Sequence, residues 1–193
     1  MGKTLDILLG KRSSKLNNLL ELSITRNSYL KNRQQALFSF SQSDVVQLLN
    51  LGHQQQALLR VEHVIKSKNM LDALALIESY CKFLKENMSL IEKSKDCPEE
   101  VREAIGSMIF ASSRIGDNPK LQHIRAFFAS KYGQDFVTQA IENPRNLGVN
   151  DKIIQKLSRR QPSLESRMSF LREIASNNGI ILHNLNANLQ QQS

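Results

Sequence analysis

Tryptophan is absent from this 193-residue chain, cysteine occurs twice, proline four times and glycine eight times. Sandwiches and barrels need turn residues every 8–12 positions or so, and this composition does not supply them. The expected fold class is all-α. Cys81 and Cys97 are too few for a disulfide framework and lack metal-ligand spacing, which points to buried thiols in a reducing compartment. No run of about 18 apolar residues is present, and the first residues lack the apolar block of a signal peptide. The expectation is a protein that is soluble, or attached to a membrane from outside.

Catalytic signatures are missing too. "MGKT" at the start lacks the first glycine of a phosphate loop, and "GKRS" at 10–13 puts Arg where a magnesium-binding hydroxyl belongs. Gly2 is a poor myristoylation site, because Asp6 stands where Ser or Thr is wanted. His53, His63, His123 and His183 are scattered outside any HExxH or CxxC setting, and no GxSxG elbow or dinucleotide turn occurs. A non-enzymatic protein with no metal or cofactor is expected.

What the chain has is helical periodicity and positive charge. The net charge is +8, with ten Lys/Arg against four Asp/Glu in residues 1–70 and sixteen against fourteen in the rest. The basicity belongs to the first third, which suggests an anionic partner, nucleic acid or a lipid headgroup surface. One domain is the default for this length.

Leu16, Leu19, Leu20, Ile24, Leu30, Leu37 and Phe38 repeat at helical spacing with neither Gly nor Pro between them, so residues 10–38 read as one long helix. Asn27 and Gln34 interrupt its seam, implying a helix packed at an edge. "SFSQSDVVQLL" offers Ser41 or Ser43 as an N-cap and Asp44 in the first turn, so a second helix is expected to restart there after a short connection. Its apolar rhythm runs to about Leu90, roughly 60 Å of helix, with Gly52 as a weak point that marks a bend. Two long helices joined by a short turn make an antiparallel hairpin.

Shorter helices follow, each punctuated. Cys97 or Asp96 precedes Pro98, Asn118-Pro119 opens and Gly133 closes "DNPKLQHIRAFFASKYG", another helix covers about 134–142, "VNDKIIQKLSRR" reads as one more, and one starts near Pro162 and stops at Gly179. The residues from His183 onward read as a polar tail.

Two features suggest binding. Lys11, Lys15, Arg26 and Arg33 project within an arc of about 60° on an ideal helix, with Arg12 at its edge. Each is worth about 1 kcal/mol near an anionic bilayer, so the stripe gives roughly millimolar affinity and needs repetition along a polymer to hold a membrane. Leu121, Ile124, Phe127 or Phe128, Lys131 and Tyr132 lie on the capped helix 119–132. Phe127 and Phe128 point about 100° apart, so one faces core and one is available to a groove that an amphipathic partner helix fills.

"VVQLLNLGHQQQALLRVEHVIKSKNMLDALALIESYC" (45–81), "CPEEVREAIGSMIFASSR" (97–114), "KYGQDF" (131–136) and "KLSRRQP" with "FLREIA" (156–175) resemble the increased sodium tolerance protein 1 family, particularly plant-type members. The resemblance covers about residues 1–182. It implies an ESCRT-III-like fold, a long antiparallel helical hairpin with shorter helices packed against it, in a domain of residues 1–182 followed by a tail of 183–193. It also implies a cytoplasmic adaptor recruited to endosomes for multivesicular body sorting, able to join a homo- or hetero-polymer. The implied partners are a C-terminal helix of charged multivesicular body protein 1, the vacuolar protein sorting 4 ATPase and acidic endosomal membrane. Arg60 and Glu62 match a recurrent Arg-Val-Glu element of structural importance, and Lys131, Tyr132 and Gly133 match its "KYG". "ASSR" at 111–114 departs from the family's Ala-Ala-Pro-Arg-like turn, and "NLNANLQQQS" carries no ATPase-binding Leu/Arg pattern, so either the sequence stops short of the family's tail or direct contact with the ATPase is missing. The rival reading is a helical RNA-binding protein. Between the basic positions, however, the first helix offers only Tyr29 for base stacking, so no nucleic acid is expected.

Overall fold

A computed structural model describes the backbone of residues 2–183 and the side chains of residues 14–183. The side chains of Lys11 and Arg12, two of the expected membrane-binding residues, and the tail from 184 onward lie outside what is described. Among the described residues there are eight helices and no strand: α1 (Gly2–Asn50), α2 (Gln54–Glu86), α3 (Met88–Lys93), α4 (Glu99–Ser112), α5 (Pro119–Tyr132), α6 (Gln134–Glu142), α7 (Asp151–Lys156) and α8 (Leu164–Asn177).

The first helix corrects the expected connection near residue 40. α1 is unbroken through Ser41 and Ser43 and runs for 49 residues. Serine costs only a few tenths of a kcal/mol inside a helix, an amount that tertiary packing overrides, whereas a left-handed glycine ends one outright. Gly52 supplies that stop, with φ of 77°. The His53 amide reaches back to the Leu48 carbonyl at 2.8 Å and the Gly52 amide to the Leu49 carbonyl at 3.0 Å, the paired bonds of a Schellman stop. Gly52 is therefore the hairpin turn itself, and no bend within a second helix. α2 then runs for 33 residues.

The helices assemble two compact units, one from residues 1–31 and 72–158, the other from 32–71 and 159–193. In the first, α1 and α2 run antiparallel: Lys85 donates to Glu21 at 2.8 Å and Lys31 to Glu78 at 2.7 Å. The Lys31 and Lys82 ammonium groups hold the Glu78 carboxyl below the usual carboxylate range. α4 is the innermost of the shorter helices, buried continuously from Ala104 to Ser112, with α5, α6 and α7 against it. Gly106 permits this crowding, because a Cβ there would lie 3.1 Å from the Val149 side chain. The start of α7 is fastened to α4, since the Asn150 amide donates to Ser107 Oγ at 3.1 Å and its side chain to Glu103 at 3.1 Å.

In the second unit Val45 and Leu49 of α1 and Leu58, Val61 and Ile65 of α2 enclose a core that α8 completes with Leu171, Ile174 and Ala175. Asp44 was expected to favour a helix start. Instead it accepts from Arg60 Nη2 at 2.5 Å and Nε at 3.0 Å. Glu62 pairs with Lys66 one turn on, which lowers its pKa, with Arg167 of α8 adding a smaller attraction. α8 ends as α1 does, on a left-handed glycine, Gly179.

Candidate functional site

Helix α5 is set in place from its first residue. Asn118, fully buried, accepts the Lys120 amide at 3.2 Å through Oδ1, the capping bond its position predicts. Its Nδ2 donates to Asn27 Oδ1 at 2.9 Å and to Ser23 Oγ at 3.2 Å, both buried on α1. The Asn27 amide also reaches the Leu74 carbonyl of α2 at 3.4 Å. The polar break in the α1 seam is thus a buried network, and α1 is enclosed there and not edge-packed as its sequence suggests. Beside it Arg26 Nε donates to the Asp117 carbonyl at 2.8 Å, and its guanidinium lies 5.0 Å from the Tyr29 ring centre.

With its start fixed, α5 divides its faces. Leu121, Ile124 and Phe128 have no exposed surface, while Phe127 is half-buried on the outer side. The two phenylalanine rings meet edge to face at 5.4 Å. Phe128 stacks on Tyr132 at 5.9 Å, and Tyr132 touches Phe136 of α6 at 5.7 Å across Gly133. Gly133 has φ of 94°, a left-handed conformation that favours glycine, and its amide closes α5 on the Ala129 carbonyl. The Tyr132 hydroxyl is buried without a hydrogen-bond partner, and burial raises its pKa. Burial likewise pushes the Cys97 thiol up to about 11 and Cys81 to about 12, which favours the protonated form of both near pH 7.

A groove of about 420 Å³ opens between α1, α3 and α5. Its floor is apolar: Leu16 and Leu19 from α1, Met88 and Ile91 from α3, and Phe127 from α5. Each wall brings charge to the rim, Lys15 on α1, Glu92 on α3 and Lys131 on α5, with His123 and Ser130 beside the last. The Lys131 ammonium stands 5.4 Å from the Tyr132 ring centre. Glu92 Oε1 is buried and accepts no hydrogen bond. An apolar trough with a charged rim suits the apolar face of an amphipathic helix. No cluster able to hold a metal occurs among the described residues, and none of their helices is long and apolar enough to cross a membrane.

The sequence-derived site residues are thus sorted. Phe127 and Lys131 line the groove, and Lys15, from the basic stripe, joins them. Leu121, Ile124 and Phe128 are core residues that carry α5 and present no surface to a partner, a correction to their grouping with Phe127. Tyr132 is half-buried behind Lys131. Of the stripe, Lys15 and Arg33 are exposed, but Arg26 is half-buried against Asp117. Arg60, Glu62 and Gly133 make the contacts described above. Sequence reasoning missed Leu16 and Leu19 as groove residues, and the whole α3 wall. Asn87, where α2 gives way to α3, has φ of −104° and carries no glycine or proline signal.

Residues 17–181 match the family described as Ist1, regulator of Vps4 activity in the MVB pathway. An IST1-like protein of Dictyostelium discoideum is 30% identical over 167 residues, which cover 84% of this chain and 44% of that protein. Vacuolar protein sorting-associated protein IST1 of Saccharomyces cerevisiae is 28% identical over 187 residues, 93% of this chain and 62% of the yeast protein. The chain therefore spans about half the length of these curated relatives. The crystal structure of the S. cerevisiae Ist1 N-terminal domain in complex with a Did2 MIM motif superimposes with a TM-score of 0.79 at 28% identity, covering 91% of this chain and 97% of that one. An all-helical, ESCRT-III-like fold, a punctuated α5 and a match over residues 17–181 agree: the chain belongs to the Ist1 family.

Proposed function

We propose that this protein is a non-enzymatic adaptor of ESCRT-III in multivesicular body sorting that captures a C-terminal helix of charged multivesicular body protein 1 in the groove between α1, α3 and α5. The single observation that carries this is the groove itself, with its apolar floor and with Lys15 and Lys131 at its rim. The Did2 MIM motif bound to the yeast domain supports a short motif as ligand. Through that capture the protein modulates the vacuolar protein sorting 4 ATPase, as a family described as regulating Vps4 suggests. The working module is residues 1–182, with 183–193 as a polar tail.

A second role rests on α1. Lys15 and Arg33 are exposed on it, and together with Lys11 and Arg12 they give the cytoplasmic protein a weak affinity for acidic endosomal membrane. Arg26 contributes less, because its guanidinium is occupied by Asp117. Repetition along a homo- or hetero-polymer converts weak single contacts into stable association. The test is fluorescence anisotropy with a labelled peptide of the charged multivesicular body protein 1 C-terminal helix, run against the wild type and Phe127→Asp. Micromolar binding that Phe127→Asp weakens at least tenfold is expected. No binding at high micromolar concentration, or binding indifferent to Phe127, refutes the assignment.

A further inference from the structure

Large apolar side chains left in water are ordinary when scattered and informative when they gather on one element. Among the described residues nine are exposed, and four of these stand on α1: Leu22 (40%), Tyr29 (58%), Leu37 (44%) and Phe40 (71%). The two compact units hold two each. In the first unit Leu22 and Tyr29 lie seven residues apart, and the exposed Lys15 precedes Leu22 by the same interval, so the three project within about 40° on an ideal helix. In the second, Leu37 and Phe40 stand one turn apart, about 60° around the axis. Behind these faces α1 is held in protein, by Leu20, Ser23, Asn27 and Leu30 in the first unit and by Val45 and Leu49 in the second, all buried. Glu21 is the one acid of α1 between Lys15 and Phe40. It projects about 100° away from Leu22 and is taken up by Lys85.

A second copy of the chain fits these faces poorly. Two large side chains bury at most about 150–250 Å² each, far short of the roughly 1,000 Å² of a specific protein interface. Laying the first unit's face on its own copy also brings lysine toward lysine with no acid between them. A lipid surface asks for neither a large area nor a matched outline. Its acidic headgroups suit a chain of net charge +8, and the boundary between headgroups and acyl chains is where aromatic rings beside Lys or Arg settle.

We infer that the outward face of α1 enters acidic membrane, with Leu22 and Tyr29 of the first unit and Leu37 and Phe40 of the second passing below the headgroups while the basic residues stay among them. The inference rests on reading α1 as membrane-binding and adds an apolar contribution to it. Charge alone gives weak attachment that salt screens away, whereas buried apolar surface is not screened. Each inserted ring adds about a factor of ten in affinity.

The chain has no tryptophan, so a single introduced one reports its own surroundings. Tyr29→Trp and Phe40→Trp, each in the 193-residue protein, are titrated with vesicles of equal parts phosphatidylserine and phosphatidylcholine up to about 10 mM lipid, above the roughly millimolar binding that charge supplies. A parallel series carries bromine-labelled acyl chains. Expected is a blue shift with quenching at both positions, far weaker on phosphatidylcholine alone. Leu37→Ser combined with Phe40→Ser, shown to be folded by circular dichroism melts, should bind the acidic vesicles at least about tenfold more weakly. Co-sedimentation with an unshifted, unquenched tryptophan at either position overturns the inference and leaves charge-driven attachment standing. Unchanged vesicle affinity in the serine variant also overturns it, and a lower sedimentation coefficient of that variant without vesicles then assigns the face to a second copy. No co-sedimentation of the wild type with acidic vesicles sinks both readings.

Discussion

Replacing Asn118 by alanine removes three hydrogen bonds at once and tests how α5 is held. The capping bond to the Lys120 amide is worth about 1 kcal/mol, within a range of roughly 0.5–2. The other two bonds satisfy Asn27 Oδ1 and Ser23 Oγ, both on residues with no exposed surface. Leaving a buried acceptor unmet costs about 1–3 kcal/mol, and the void left by the amide adds to it. The expected loss is about 2–4 kcal/mol. With a urea slope of about 2 kcal/mol/M, the unfolding midpoint falls by about 1–2 M. The assay is urea titration followed by circular dichroism, with hydrogen exchange of the α5 amides as a local readout. Asn118→Ser retains a capping oxygen, so it recovers about the cap's share and no more. Asn27→Ala combined with Asn118→Ala should lose less than the two single losses added together, because each single variant already breaks the shared bond. Additive losses, or a cost for Asn118→Ala under about 0.5 kcal/mol, would show that the buried network does not hold α5.

Gly52→Ala should cost about 1–2 kcal/mol in urea melts, with Gly52→Asn costing less, since a Cβ there meets nothing within 4 Å and the penalty is that of a left-handed backbone alone. Glu78→Gln should change the pH dependence of stability. The depressed pKa of Glu78 contributes stability that is full above the usual carboxylate value of 4.5 and disappears as pH falls through the folded pKa, so wild type and variant should differ at pH 7 and converge in acid. A constant gap across that window refutes it. Lys15→Glu with Arg33→Glu should abolish sedimentation with acidic liposomes at low salt, while Arg26→Gln lowers it less. Stronger retention on RNA than on those liposomes at equal salt would favour the rival nucleic-acid reading.

The shorter helices after α3 were legible where local chemistry fixes their ends. Asn118 with Pro119, Gly133, Asn150 and Ser163 each satisfy or terminate a helix within a few residues of themselves, so the signal and its effect share one stretch of sequence. The hairpin turn was misplaced for the converse reason. Ser41 and Ser43 have the chemistry of a cap, but the packing of Val45 and Leu49 against Val61 and Leu58 outweighs that small preference, and the stop moves to Gly52. Asn27 looked like a flaw in a stripe because its partner, Asn118, lies far along the chain. Of the residues lining the groove, Phe127 and Lys131 were singled out in the sequence as candidates for a partner. Its α3 wall was not, since nothing near Glu92 in the sequence announces which distant helices it faces.

Asp44 and Arg60 stand equally far before and after Gly52, and their ion pair closes the loop of chain between them. The spacing works as a calliper. Deleting one residue on either arm turns everything beyond it by about 100° around the helix axis, which would part the ion pair and swing Val45 away from its neighbours together. Descendants of this sequence can exchange the exposed side chains along the loop, but they can alter its length only by matched changes on both arms.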